Sequence, residues 1–323
     1  MSHTPPTHRN KILPLRKAAK ALALGIVVLA SIYFLAELAR HADQITSIHW
    51  NRETLVALIA SILGMVTVVV LGGFMWFALL RDQGAPISVP LAVEIVTLSQ
   101  IAKYLPGNVG HIVGQVTLAT AAGVPLSIAV SSLLISTLWL ISISLGMGAL
   151  ALAVFVDLPL LGDTMTINLP GMVLLGAALA ILPWLAIPII NRIFPHLASK
   201  LGHGQLPTVP RLSTALILGL GFFVCFVIFG LMLKAQAVMV FGVSDGDIVT
   251  LTFLFTAAWV AGYLMPGAPG GLGIREAMMI VLLSPVLGTP AAAGLGVTMR
   301  LTTIAGDGAA FLLGLAVRRF RKA

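Results

Sequence analysis

A chain of 323 residues in which 59% are hydrophobic and only 9% are charged falls far below the roughly 25% charge of soluble domains, so it has little room for a water-soluble domain. The net charge of +8 does not imply a nucleic-acid partner, because the cations gather at the ends of apolar runs, where Lys and Arg set topology and meet anionic headgroups. Cys225 is the one cysteine; it has no internal disulfide partner and reads as a small core or lipid-facing residue.

In chain order, Arg9, Lys11, Arg16, Lys17 and Lys20 surround the start of the first apolar run, 18–38. Basic residues before such a run also open a signal peptide, with cleavage after Ala36 or Ala39, but the run reads better as the first anchor of a long hydrophobic protein. A spanning helix needs about 20 apolar residues. The second run, 55–80, carries no charge. The run 88–104 is shorter and holds Glu94 and Lys103, and 111–122 is short and rich in Gly, Thr and Ala. The run 126–156 is uncharged and longer than a bilayer requires, which predicts a tilt or a bend near Gly146 and Gly148. Pro183 and Pro188 predict kinks in 171–190. The remaining runs are 212–233, 248–264, 274–287 and 291–317. The longest connections reach only about 20 residues, as between Arg192 and Arg211.

Two of these runs stop at related motifs. The first is Ala102-Lys103-Tyr104-Leu105-Pro106-Gly107-Asn108-Val109-Gly110, and the second is Ala261-Gly262-Tyr263-Leu264-Met265-Pro266-Gly267-Ala268-Pro269-Gly270-Gly271. Both place Tyr-Leu before Pro-Gly-x-x-Gly, the second with Met265 inserted. Pro and Gly break helices. Broken backbone at membrane depth survives only where protein or water satisfies it, and paired broken segments point to a transport site.

The expected fold is all-α and polytopic, with about six full spans plus two re-entrant hairpins. The basic tails 1–17 and 318–323 are cytoplasmic by the positive-inside rule and flank a single membrane domain, 18–317. Arg40 to Glu53, the acidic loop 157–170, and Asp245 with Asp247 fit outside. Arg81-Asp82 and the stretch with Arg192, Lys200 and Arg211 fit inside, and Lys234 dissents. An odd number of spans between the hairpins makes them enter from opposite faces, an inverted pair of pseudo-repeats at about 18–156 and 171–317. A rival count of eight to ten full spans satisfies the same charges.

The ionisable residues inside apolar sequence are the candidate site. Lys103 adjoins the first motif, Arg275 and Glu276 follow the second, and Arg300 and Asp307 lie seven residues apart in the last run, near one helix face. Such residues face a cavity or a partner. One reading is structural: Arg275 paired to Glu276 or Asp307, and Arg300 to Asp307. The other is an anion site, in which Lys103, Arg275 and Arg300 join the free N–H groups of helices restarting after Gly110 and Gly273 to hold a phosphate. Pro106, Gly107, Pro266, Gly267, Gly270 and Gly271 either permit turns and tight packing or let backbone approach a headgroup. Tyr104 and Tyr263 are interfacial or core residues or headgroup hydrogen-bond donors, and Glu94 lies near an interface. His111 and Gln115 share a helix face, but no Cys, Asp or second His accompanies them as a metal site requires. His3, His8, His41, His49, His196 and His203 show no ligand spacing. Gly271-Leu272-Gly273 follows no strand and is no dinucleotide fingerprint; there is also no nucleophile elbow, metalloprotease His pair or P-loop. No cofactor, metal or ATP is implied.

The strings Lys103-Tyr104-Leu105-Pro106-Gly107 and Met265-Pro266-Gly267-Ala268-Pro269-Gly270-Gly271-Leu272-Gly273-Ile274-Arg275-Glu276 resemble the flippase-like transmembrane family, named after the membrane region of lysylphosphatidylglycerol synthase. The second string is the more specific; many relatives carry Arg where this chain has Lys103. The resemblance extends over about 18–319. In the synthase this region moves an aminoacylated phospholipid across the membrane after a separate soluble domain makes it. Stand-alone members are tied to glycolipid, hopanoid or polyprenyl-linked pathways. The resemblance implies the translocation half without the aminoacyl-transferase domain.

The expected function is therefore translocation, in the cytoplasmic (inner) membrane, of a lipid with an anionic or phosphate-containing headgroup. A phospholipid, glycolipid, hopanoid or polyprenyl-linked lipid is the partner, with a lipid-synthesis enzyme as a further one. Two alternatives stand beside it. A membrane-embedded transferase on a lipid phosphate would display clustered acids for a metal or a general base, and here the acids are scattered. A non-transporting scaffold of a lipid or glycolipid synthesis complex would make the internal charges dispensable.

Overall fold

The computed structural model describes residues 50–104, 110–155, 169–193, 208–265 and 271–322, with single positions at 32, 36, 39, 195, 196 and 199. The expected first span, 18–38, therefore lies outside the described residues, as do Pro106, Gly107, Pro266, Gly267 and Gly270. The described chain is helical, with no strand among those residues: α1 (Arg52–Asp82), α2 (Val89–Ser99), α3 (Gly110–Ala121), α4 (Leu126–Phe155), α5 (Leu169–Ile193), α6 (Leu212–Met239), α7 (Ile248–Leu264), α8 (Ile274–Leu287) and α9 (Thr289–Lys322). A 3-10 turn, Gln100–Tyr104, extends α2.

Local chemistry fixes several of these boundaries. The Asn51 side chain accepts from the Thr54 N–H at 2.8 Å and starts α1. Asp247 starts α7 by accepting from the N–H groups of Val249 and Thr250 at 2.8 and 3.0 Å and from the Thr250 hydroxyl at 2.7 Å. These bonds, the Thr250 hydroxyl first, hold the Asp247 carboxyl below the usual carboxylate range. Gly273, at φ +82°, turns the chain into α8, a conformation that a side chain would strain.

Among the described residues four helices, α1, α4, α6 and α9, are long and apolar enough to cross a membrane. Leu63, Leu216, Leu220 and Leu312 on these helices are at least 60% exposed, as a lipid-facing surface requires. The 25-residue α5 carries both Pro183 and Pro188. The protein is thus a multi-pass membrane protein. By contrast α2, α3 and α8 have 11, 12 and 14 residues, fewer than a span needs, and α7 with 17 sits at the lower limit. α2 packs on α3, and α7 packs on α8. Each Pro-Gly motif therefore joins two short helices, as expected of a broken hairpin.

The hairpins are embedded in the long helices. α9 packs against α1, α2 and α8, while α7 packs against α4 and α6. Polar ties cross this apolar core: Trp76 Nε1 donates to Ser132 Oγ at 2.9 Å, and Gln236 Nε2 donates to Ser61 Oγ at 2.8 Å and Thr302 Oγ1 at 3.1 Å. Lys234, the dissenting charge, donates to the carbonyls of Ser244 and Gly246 at 2.5 and 2.8 Å, so a local loop accounts for it. At the C-terminal end, α9 runs on through Lys322, beyond the expected end at 317. Arg318 and Arg321 turn to Glu94 on α2, with nearest approaches of 3.8 and 2.8 Å. Two of the basic tail residues thus bind protein, and Glu94 is their buried partner.

Candidate functional site

The ends of the two hairpins converge. The 3-10 turn delivers Lys103 and Tyr104, α3 delivers His111, α8 delivers Arg275 and Glu276, and α9 delivers Arg300 and Asp307. Asp307 lies near the middle of α9, far from either helix end. All but Glu276 line one cavity of about 300 Å³, within the size range of small-ligand sites. Its other walls are largely apolar and aromatic, including Trp76, Phe222, Phe226 and Phe229. Trp259 and Tyr263, also in the lining, stack at 4.8 Å between ring centroids.

The charges form two linked groups. Lys103 Nζ lies 2.6 Å from Asp307 Oδ2, and the Tyr104 hydroxyl donates to the same oxygen. Glu276 Oε1 lies 3.1 Å from Arg275 Nη2 and 3.6 Å from Arg300 Nη1. Its second oxygen accepts from the Gly273 N–H at 2.8 Å, so one side chain caps α8 and neutralises guanidinium charge. Lys103 and Arg300 also sit over the Tyr104 ring, at 5.6 and 6.0 Å from its centroid. Burial is deep, at 1% exposure for the Asp307 side chain, 4% for Glu276 and 9% for Arg275.

Three buried atoms of the lining have no hydrogen-bond partner: Arg275 Nε, Asp307 Oδ1 and His111 Nδ1. Leaving such groups unpaired costs roughly 1–3 kcal/mol each, and all three belong to residues that line the cavity. The cations already have carboxylate partners, which offsets the cost of burying them.

Of the residues singled out in the sequence, Lys103, Tyr104, Tyr263, Gly271, Arg275, Arg300 and Asp307 line the cavity, and Glu276 stands directly behind it. Gly273 turns the chain into α8. Gly110 restarts α3 so close to the Ala102 carbonyl that an added Cβ would overlap it. The ion pairs differ from those expected in one respect: Lys103 takes Asp307, and Arg300 reaches Glu276. The lining also includes Gln100, Thr303 and Gln115. The signal for Gln100 and Thr303 was their spacing, three residues from Lys103 and from Arg300, which places each beside a charge on one helix face.

The fold and site define a polytopic α-helical membrane protein with a buried, charged cavity where two broken hairpins meet. The family described as lysylphosphatidylglycerol synthase TM region matches residues 21–307, nearly the whole chain, and the protein belongs to that family. The match stops at Asp307, so it includes every site residue named above. No curated protein matches the chain. Family membership places the protein among membrane proteins related to lipid handling.

Proposed function

We propose that the protein binds a lipid with an anionic, phosphate-containing headgroup in this cavity and moves it across the cytoplasmic membrane. The carrying observation is the convergence of Lys103, Arg275 and Arg300 with two carboxylates on a cavity of about 300 Å³. Arg275 and Lys103 engage the phosphate, while Glu276 and Asp307 hold the cations when the cavity is empty. The apolar wall takes the first part of the chains. Phospholipids, glycolipids, hopanoids and polyprenyl-linked lipids share the chemistry that this arrangement recognises.

The two hairpins act as gates from opposite faces, as inverted pseudo-repeats of one membrane domain whose termini are both cytoplasmic. The three long helices between them, α4, α5 and α6, support this arrangement. The driving force is an ion gradient, downhill flow or a synthetic partner enzyme.

The test is translocation in proteoliposomes, with phosphatidylglycerol, an aminoacylated phosphatidylglycerol and a polyprenyl phosphate as the panel. Wild type is expected to move at least one of them, and Arg275→Ala, at equal folded protein, to move it about tenfold more slowly or not at all. Equal rates for the two proteins would remove Arg275 from the mechanism and with it the anion-site reading.

A further inference from the structure

We propose that Asp307 sets the charge of the headgroup that the cavity accepts, so that the wild-type site selects a phosphate diester, with one negative charge, over a dianionic phosphate monoester. This rests on the lipid-phosphate reading above and adds a specificity-determining residue to it.

The argument begins with the charges gathered at the cavity. Among the described residues these are the cations Lys103, Arg275 and Arg300 and the carboxylates Glu276 and Asp307, a surplus of one positive charge. The adjoining segments 105–109 and 266–270 read Leu-Pro-Gly-Asn-Val and Pro-Gly-Ala-Pro-Gly and add no ionisable side chain. His111 is the remaining basic group of the lining, and an imidazole is largely neutral at pH 8. Removing an anion from water costs free energy that grows with the square of its charge, whereas its attraction to a fixed site grows only in proportion. A surplus of one therefore balances a monoanion and leaves a dianion undercompensated.

The two carboxylates are not equivalent. Glu276 is fully engaged, with one oxygen on the α8 N-terminus and the other on two guanidinium groups. Asp307 uses only Oδ2, which takes both Lys103 and Tyr104. Its Oδ1 is buried without a partner. Arg275 Nε, also buried and unpartnered, is a ready donor to a phosphate oxygen. A phosphate bound there meets Asp307 as the opposing negative charge. Neutralising Asp307 would raise the surplus to two with little change of shape, and neutralising Lys103 would lower it to zero.

The experiment compares dihexanoyl phosphatidylmethanol with dihexanoyl phosphatidic acid, binding to the full chain in detergent at pH 8. The two lipids differ by one methyl group, which converts a monoester with nearly two charges into a diester with one. Wild type is expected to prefer the diester. Asp307→Asn should shift the affinity ratio toward the monoester by about tenfold or more, and Lys103→Gln should shift it the opposite way. The two variants move in opposite directions, so either one, if folded, supplies the result. A wild type that prefers the monoester, or a ratio that neither variant moves, would overturn the proposal while leaving a lipid-phosphate site. Failure of both lipids to bind would overturn that site as well. Dimethyl phosphate that binds as tightly as phosphatidylmethanol would overturn the lipid reading and assign the charge selection to a soluble diester.

Discussion

At the scale of single residues, Glu276 has the most to hold. It accepts from the Gly273 N–H, faces Arg275 and Arg300, and is 4% exposed. Removing one member of a buried ion pair costs roughly 3–5 kcal/mol, because the partner charge is left unbalanced. Glu276→Gln keeps the shape and one acceptor oxygen but leaves two guanidinium groups against a neutral amide. Its thermal midpoint in detergent is expected to fall clearly below that of Asp307→Asn, whose partner Lys103 also donates to Gln100 at 3.4 Å and is 20% exposed. A Glu276→Gln midpoint equal to wild type would show that the guanidinium charges are balanced elsewhere. The membership of this cluster was legible in the sequence, because Lys103, Arg275, Glu276, Arg300 and Asp307 interrupt apolar runs and such interruptions are too costly to be idle. The pairing was not legible. Seven-residue spacing put Arg300 and Asp307 on one face, but it carried no information on how the end of α2 and the start of α8 insert beside that face, so Lys103 as the partner of Asp307 emerged only from packing.

At the scale of elements, the long apolar runs announced their helices through length and lack of charge, and the two Pro-Gly motifs marked where helices stop. What the sequence left open was whether each broken segment crosses the membrane. Helix length and pairing speak to that: α2 with its 3-10 turn, α3 and α8 are each too short to span, and each packs on its motif partner. Helix contacts were also illegible, because a small residue in an apolar run does not say which neighbour it admits. Gly230 on α6 is an instance. An added Cβ would come within 2.8 Å of Thr252 Cβ and 2.9 Å of its Cα, atoms that cannot move without shifting α7. Gly230→Ala is therefore expected to force α6 and α7 apart, at a cost of about 1–3 kcal/mol, against the small gain in helix propensity that alanine brings. Thermal unfolding checks this directly: a midpoint at or above wild type would mean that the two helices can separate freely. Because α7 is one limb of the second hairpin and leads to Tyr263, the same substitution tests whether that limb is held as rigidly as its packing implies.

At the scale of the whole molecule, α9 holds the first hairpin at two separate places. Asp307 meets Lys103 and Tyr104 at the end of the hairpin limb, and Arg318 and Arg321 meet Glu94 further back on it. The two attachments lie about 16 Å apart along α2 and its 3-10 turn and about 17–21 Å apart along α9, from the rise of each helix type. One latch sits in the cavity and the other near the C-terminal end of α9, so a ligand that competes for Lys103 opens only the first. If the hairpin moves during transport, the Glu94 contact is the hinge that keeps it attached. The arginines are exposed, at 46% for Arg318 and 37% for Arg321, so solvent screens the contact and its worth is at most about 1 kcal/mol. Glu94→Gln removes the charge while keeping the side chain's size. It is expected to speed amide exchange in residues 89–104 by about twofold to fivefold, with little change across 274–287 in the second hairpin. Uniform acceleration in both hairpins would mean that Glu94 supports the fold as a whole. No acceleration would mean that packing of α2 on α1 and α9 holds the hairpin without it. Faster exchange confined to 89–104, together with unchanged lipid binding, would separate holding the hairpin from holding the ligand, and would assign the C-terminal end and the middle of α9 to those two tasks.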